Sequence, residues 1–262
     1  MLCLVLPLLT SIGQGTLTVF AVCGRLILFL LQGFYQALTP PWYGRQFVKQ
    51  FLNIGYFSLP VVGLTAIFTG MVLALQSYTG FSRFSAESAI ATVVVLSMTR
   101  ELGPVLAGLM VAGRIGASMA AEIGTMRVTE QIDALTTLST NPFKYLIVPR
   151  LIAGLTMLPL LVIVADIIGV LGGYIIGVYK LGFNSANYLN LTWKYLEAGD
   201  VFSGLIKAAC FGLIISLMGC YHGYNSSRGA EGVGQATTKA VVSASILILF
   251  FNYALTILLF EN

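Results

Sequence analysis

Long apolar stretches joined by short polar connections form the main pattern along the chain. Four stretches are almost free of charged residues, namely residues 54–75, 146–178, 201–221 and 241–260. A fifth, residues 89–113, is interrupted by Arg100, Glu101 and Pro104. Each stretch is long enough to cross ~30 Å of hydrocarbon as a helix that rises ~1.5 Å per residue. The pattern therefore predicts an all-α integral membrane protein with five transmembrane helices.

The N-terminal third follows a different pattern. Residues 16–35 are apolar but carry Arg25 near their centre, and Pro40, Pro41 and Trp42 follow them. A helix lying in the membrane interface fits this pattern better than a sixth span, which is the alternative. We therefore expect an interfacial region over residues 1–52 and a five-span domain over residues 53–262.

Basic residues predict the orientation of the spans, because cytoplasmic connections carry an excess of Lys and Arg. With five spans, the two termini lie on opposite sides of the membrane. One side then carries three basic residues, Arg83, Lys180 and Lys194. The other side carries nine: Arg25, Arg45, Lys49, Arg114, Arg127, Lys144, Arg150, Arg228 and Lys239. The N-terminus is therefore expected to be cytoplasmic and the C-terminus to lie across the membrane from it.

Composition narrows the possible functions. Hydrophobic residues make up 57% of the chain and charged residues only 9%, against roughly 25% charged residues in soluble domains. The net charge is +4 and the basic residues are scattered, which argues against nucleic acid as a partner. Four cysteines without CxxC spacing and a single histidine predict no metal site. The sequence also contains no GxxxxGK[ST], HExxH or GxSxG motif, so we expect neither an enzyme nor a bound cofactor.

Four charged residues lie well inside the apolar stretches, away from their ends: Arg100, Glu101, Asp166 and Lys207. A charge in hydrocarbon costs at least about 2.5 kcal/mol, so each of them needs a partner. One interpretation is that Lys207 neutralises Glu101 or Asp166 across the helix bundle. Another is that Arg100 or Lys207 binds an anionic lipid head group. The alternative function is a secondary transporter or channel that uses the four residues as an intramembrane relay of ions or protons.

Small residues recur at every fourth position in two of the spans, at Gly169, Gly173 and Gly177 and again from Gly204 to Gly212 through Ala208. This spacing lets helix backbones approach closely in a membrane. The two interpretations are packing within one subunit and a dimer interface.

The polar segment that follows residues 89–113 has the pattern of a short amphipathic helix. Val128, Ile132 and Leu135 fall on one helical face, whereas Glu130 and Asp133 lie on the other side. The pattern predicts a helix at the cytoplasmic surface between the second and third spans.

Residues 100–135 resemble the signature region of the MlaE/YrbE family, the membrane permease subunits of MCE-associated lipid ABC transporters. They read RELGPVLAGLMVAGRIGASMAAEIGTMRVTEQIDAL. Flanking similarities are GMVLALQ at 70–76, SAE at 85–87, NP at 141–142, LPLL at 158–161 and ATTKAVV at 236–242. The resemblance extends from about residue 53 to the C-terminus.

The resemblance implies a homodimeric permease in the bacterial inner membrane that moves phospholipids to or from a periplasmic MCE-domain protein. ATP and magnesium would be bound by a separate cytoplasmic ABC ATPase, which can carry a small STAS-domain protein. The C-terminus would be periplasmic. In this family a cytoplasmic helix between spans two and three inserts into the ATPase, which by position implies Glu122, Thr125, Arg127, Val128, Glu130, Ile132, Asp133 and Leu135 as coupling residues. The lipid pathway between the two copies would by position involve Leu75, Gln76, Tyr78, Arg100, Glu101 and Lys207.

Overall fold

The computed structural model describes residues 2–84 and 89–260, and the SAE motif therefore lies outside the described residues. Helices make up almost all of this part of the chain, with no strand among the described residues. They are α1 (Leu2–Leu38), α2 (Gly44–Ile54), α3 (Leu59–Phe81), α4 (Ala89–Ser97), α5 (Gly103–Val111), α6 (Ala117–Val128), α7 (Gln131–Thr137), α8 (Val148–Ile175), α9 (Ser185–Tyr195), α10 (Ala198–Tyr224) and α11 (Gly229–Phe260).

Six helical segments in the described residues are long and apolar enough to cross a membrane. They are Gly13–Leu38, Gly44–Phe81, Ala89–Val128, Phe143–Lys180, Ala198–Tyr224 and Gly229–Leu259. The last five contain the five stretches that the sequence predicts, which confirms the all-α membrane fold. Three of the segments run for 38 or 40 residues, roughly 57–60 Å, so their ends extend well beyond ~30 Å of hydrocarbon.

The N-terminal helix is longer than the sequence pattern indicates. It runs for 37 residues without a break, and by length and composition its later part also qualifies as a span. Most of its side chains described from residue 13 onward are exposed, in contrast to those of the bundle helices. Its interfacial position and the opposite placement of the two termini remain predictions.

The bundle is centred on α8, which packs against α2, α3, α5 and α10. A Cβ on Gly70 of α3 would overlap the carbonyl oxygen of Gly169 in α8, and a Cβ on Gly212 of α10 would overlap that of Gly154. Helices in a membrane gain van der Waals contact in this way, without a hydrophobic drive for association. The stripes of small residues therefore pack helices of one subunit together.

The interruption at Arg100 and Glu101 is a wide helical turn and does not break the helix. Residues Met98–Leu102 form one π turn, in which the amide of Gly103 donates to the carbonyl of Met98, five residues earlier. Pro104 follows and has no amide hydrogen to donate. A local π turn lets the helix continue past the proline, and it rotates the preceding side chains relative to an ideal helix.

The expected short helix between the second and third spans is present as α7, and residues 122–135 are divided between α6 and α7. Helix α6 ends at Val128 and α7 begins at Gln131, because Glu130 adopts a left-handed conformation with φ of 59°. The turn redirects the chain so that Ile132 is buried at 1% exposure in the hydrophobic core. Burial of an apolar side chain thus outweighs continuation of the helix.

Candidate functional site

An intramembrane polar cluster joins the π turn to α10 and α11. The ammonium of Lys207, on α10, has no exposed surface and donates to Glu101 Oε1 at 2.6 Å. It also donates to Thr256 Oγ1 at 2.8 Å and to the carbonyl oxygen of Arg100 at 3.1 Å. Three donated bonds satisfy the ammonium completely, which is the condition for a charge to remain buried.

The Glu101 carboxylate has further partners on α11. Asn252 Nδ2 donates to Glu101 Oε2 at 3.0 Å, and the hydroxyl of Thr256 lies 3.1 Å from Glu101 Oε1. The side chain of Glu101 is nevertheless 36% exposed on the surface of the subunit. One edge of this carboxylate is therefore available to whatever lies beside the helix bundle.

Arg100 extends the cluster in another direction. Its Nε lies 3.5 Å from Asp200 Oδ1, and the arginine side chain is 33% exposed. Asp200 also accepts from the amide of Glu197 and so caps the start of α10. Because neighbouring residues on a helix point about 100° apart, Arg100 and Glu101 reach different partners. Among the described residues, the cluster contains two cations and two carboxylates.

The structure thus decides which carboxylate Lys207 neutralises. It is Glu101, whereas Asp166 lies on α8, where its Oδ1 packs against Gly103 without a hydrogen-bond partner among the described residues. The interpretation of Lys207 as half of an ion pair is confirmed.

A second ion-pair cluster lies where α2, α6 and α8 meet. Arg150 is nearly enclosed, with a side chain that is 3% exposed, and its Nη2 donates to Glu122 Oε2 at 2.7 Å. Its Nη1 donates to the carbonyl of Leu146 at 2.6 Å. Lys49 of α2 adds a longer ion pair to Glu122 at 3.7 Å. Glu122, expected to contact an ATPase, therefore also joins three helices of its own subunit.

Helix α7 and the turn before it form an exposed polar surface at the same end of the bundle. Arg127, Glu130 and Asp133 are exposed, and Arg127 Nη1 donates to Asp133 Oδ1 at 3.0 Å. Leu135 is half-buried behind them, and Leu138 is 75% exposed just after the helix. The surface combines charged side chains with an exposed apolar one, as protein interfaces commonly do.

Comparison with known proteins identifies the family. The profile of a family described as "Permease MlaE" matches residues 47–258. The chain belongs to the MlaE permease family.

Individual relatives agree with this assignment. A "Probable ABC transporter permease protein" of Rickettsia bellii is 60% identical over 98% of this chain and 100% of its own length. A protein of the same description from Synechocystis is 40% identical over 95% of this chain and 92% of its own. The "Intermembrane phospholipid transport system permease protein MlaE" of Haemophilus influenzae is 34% identical over 98% of this chain and 99% of its own length. The chain is thus a multi-pass membrane permease of the ABC transporter type.

The structure brings some of the expected pathway residues of this MlaE-family chain together. Arg100, Glu101 and Lys207 form the intramembrane polar cluster. Leu75, Gln76 and Tyr78 lie instead near the end of α3, where the Tyr78 ring packs 6.1 Å from that of Phe183 in a small separate apolar cluster. No hydrogen bond or ion pair between described residues joins the two sets.

Several residues of the two ion-pair clusters were not identified as candidates from the sequence. Asn252 and Thr256 are polar residues four positions apart in an otherwise apolar stretch, which places them on one helical face. That spacing was a usable signal for partners of a buried charge. Asp200 and the Glu122–Arg150 pair gave no comparable signal, because their partners are distant in sequence.

Proposed function

We propose that the chain is the membrane subunit of an ABC transporter that moves phospholipids between the inner membrane and a periplasmic MCE-domain partner. The observation that carries this proposal is the similarity, over almost the full length of both chains, to the Haemophilus protein named for intermembrane phospholipid transport. A separate cytoplasmic ATPase would bind and hydrolyse ATP with magnesium, and a small STAS-domain protein could sit on that ATPase.

The intramembrane polar cluster supports a role in handling amphiphiles. Partly exposed Arg100 and Glu101 interrupt the otherwise apolar stretch 89–113. A wall of this kind suits acyl chains together with a single charged head group better than it suits sugars or inorganic ions. In the proposed homodimer this surface faces the lipid pathway between the two copies, and Leu75, Gln76 and Tyr78 line its other end.

Purification of the chain with its partners provides the direct test. The chain would be tagged, expressed with its neighbouring genes and analysed by mass spectrometry of the intact complex. The proposal predicts two copies of the chain, two ATPase copies, an MCE-domain protein and bound phospholipid. If the chain transports its substrate but never retains an ATPase, the result would instead support a secondary transporter or channel with an intramembrane relay of ions or protons.

The α6–α7 surface is the proposed contact with the ATPase. Charge reversal in Glu130→Lys or Asp133→Lys should lower lipid-stimulated ATP hydrolysis about tenfold or more, because a like-charge contact in an interface costs several kcal/mol. Glu231→Lys is the matched control, since Glu231 is an exposed carboxylate on the first turn of α11. Normal ATP hydrolysis in both α7 variants, with the complex intact, would refute the coupling role.

The proposed orientation has its own test. A reporter fused after residue 262 should be active only on the periplasmic side if α1 lies in the interface and five helices cross the membrane. Cytoplasmic activity of the reporter would show that α1 is a sixth span.

A further inference from the structure

We infer that the elbow between α1 and α2 binds one anionic phospholipid, at a site separate from the transport pathway. Its head group would occupy a groove between α2 and the start of the α8 segment, and an acyl chain would follow a second groove between α1 and α8. This inference does not rest on the proposed transport function.

The head-group groove has a volume of about 460 Å³ and is lined by Arg45, Gln46, Lys49 and Tyr145. Arg45 and Lys49 are exposed and lie one turn apart on the same face of α2. The Tyr145 ring packs edge-on against that of Tyr43 at 5.1 Å, which fixes the opposite wall. Guanidinium, ammonium and phenol groups all donate hydrogen bonds, and phosphate oxygens are their preferred ionic acceptors.

The charge balance around this groove is positive. Four cations lie on or beside the residues that line it: Arg45, Lys49, Lys144 and Arg150. The one carboxylate paired with any of them among the described residues is Glu122, which is shared between Arg150 and Lys49. Lys144 donates to the carbonyl of Pro40. This neutral acceptor leaves the charge of Lys144 uncompensated, and four cations share one carboxylate, so an anion would be attracted to the groove.

The second groove is apolar and shallow, with a volume of about 20 Å³, and lies further along the same helical segment. It runs between α1, at Gly33, Phe34 and Ala37, and α8, at Val148, Ile152 and Leu155. Val148, Ile152 and Leu155 follow one another at spacings of three or four residues in α8, and Tyr145 lies in the π turn Phe143–Ile147 just before them. The three α8 residues therefore form one stripe in the apolar groove, and Tyr145 lines the polar groove at the start of the same segment.

The order of the two grooves fits a membrane lipid. The polar groove lies towards the end of the span and the apolar groove towards its middle, which matches the direction of a lipid in a leaflet. Trp42, 71% exposed beside the elbow, has the position of an interface anchor. The distribution of basic residues predicts that this end is cytoplasmic, and that leaflet is rich in anionic lipids.

Native mass spectrometry of the detergent-purified chain tests the inference. The chain would be titrated with phosphatidylglycerol or with phosphatidylcholine of the same acyl chains. We expect one tightly retained phosphatidylglycerol per copy and clearly weaker retention of phosphatidylcholine. Arg45→Gln should weaken retention of phosphatidylglycerol about fivefold, the effect expected for one basic residue beside an anionic head group.

Arg228→Gln is the matched control, because it removes the same charge from an exposed arginine at the turn before α11. If Arg45→Gln and Arg228→Gln weaken the retention of phosphatidylglycerol equally, the inference is overturned. The lipid would then be held only by a general electrostatic attraction to the positively charged chain. Equal retention of the two lipids by the parent chain would also overturn the inference. Both arginines are exposed, and the melting temperature of each variant would confirm that the fold is intact.

A second arm tests the apolar groove. Ala37→Phe places a ring in the space between α1 and α8 and should displace the lipid while Arg45 remains in place. Soluble glycerol 3-phosphate should compete only at concentrations far above those of the lipid. Competition by glycerol 3-phosphate at the lipid's own concentration, or no effect of Ala37→Phe, would contradict the acyl-chain half of the site. Lipid transport by a complex carrying Arg45→Gln is a separate measurement and bears only on the proposed function.

Discussion

The intramembrane polar cluster and the Arg150 cluster use the same arrangement but balance charge differently. In each, an enclosed cation meets a partly exposed carboxylate: Lys207 and Glu101 are 0% and 36% exposed, and Arg150 and Glu122 are 3% and 38% exposed. The first cluster adds neutral partners and a second compensated pair. The second cluster adds another cation, Lys49, to the single carboxylate.

Position in the membrane explains this difference. A net charge in the middle of a span is costly, and in the described part of the chain the inner cluster has equal numbers of cations and carboxylates, with Asn252 and Thr256 as neutral partners. Near the end of a span, water and lipid head groups can compensate an excess charge. The charges of the described residues are therefore balanced in one cluster and unbalanced in the other, and this contrast can be tested by removing one cation at a time.

Lys207→Met should have the largest effect on stability. It leaves the Glu101 carboxylate with only the neutral donors on α11, and breaking a buried pair from one side typically costs about 3–5 kcal/mol. We expect a large fall in the unfolding temperature of the chain in detergent. The double variant Lys207→Met with Glu101→Gln removes both charges and should recover most of the loss. A single variant as stable as the parent would show that Glu101 does not depend on this partner.

Arg150→Met should have an intermediate effect. Glu122 retains Lys49 as a second cation and is partly exposed, so the expected loss is about 1–3 kcal/mol, that of an unmade buried hydrogen bond. The same thermal unfolding measurement applies. Arg150→Lys keeps the charge but loses the two-armed contact with Glu122 and the carbonyl of Leu146, and it should lie between Arg150→Met and the parent. A larger loss than that of Lys207→Met would reverse the comparison.

Lys49→Gln should have the smallest effect, below about 1 kcal/mol, because its ion pair is long and more than half exposed on the lysine side. Salt should reduce even this difference, since exposed pairs are screened. Arg25→Gln, which removes an exposed charge from α1, gives the baseline for loss of a charge alone. A fall in unfolding temperature as large as that of Arg150→Met would mean that Lys49, and not Arg150, holds Glu122 in place.

Sequence pattern was sufficient for the elements and insufficient for their ends and partners. The five apolar stretches are all helical, because helices alone satisfy the backbone of an isolated span in hydrocarbon. The break at Glu130 could not be predicted, since the residues on either side of it continue the helical pattern of Val128, Ile132 and Leu135. Only the depth at which Ile132 packs in the bundle required the chain to turn.

The candidate sites divide in the same way. Arg100, Glu101 and Lys207 could be recognised from sequence as charges that needed partners, but the choice between Glu101 and Asp166 for Lys207 could not be made. A single sequence does not reveal which faces of distant helices meet. Contacts between residues roughly a hundred or more positions apart decide that question, as between Glu101 and Asn252.

The sequence by itself determined that this protein is a helical membrane permease, because long uncharged stretches have no other stable arrangement in a bilayer and because residues 100–135 resemble a family signature. Tertiary structure alone decided the charge pairing, the turn at Glu130 and the two grooves at the elbow of α1 and α2. The physical reason is the distance along the chain over which each kind of interaction acts. Hydrophobicity and backbone hydrogen bonding act within a segment, whereas charge compensation and close packing of small residues depend on which segments lie side by side.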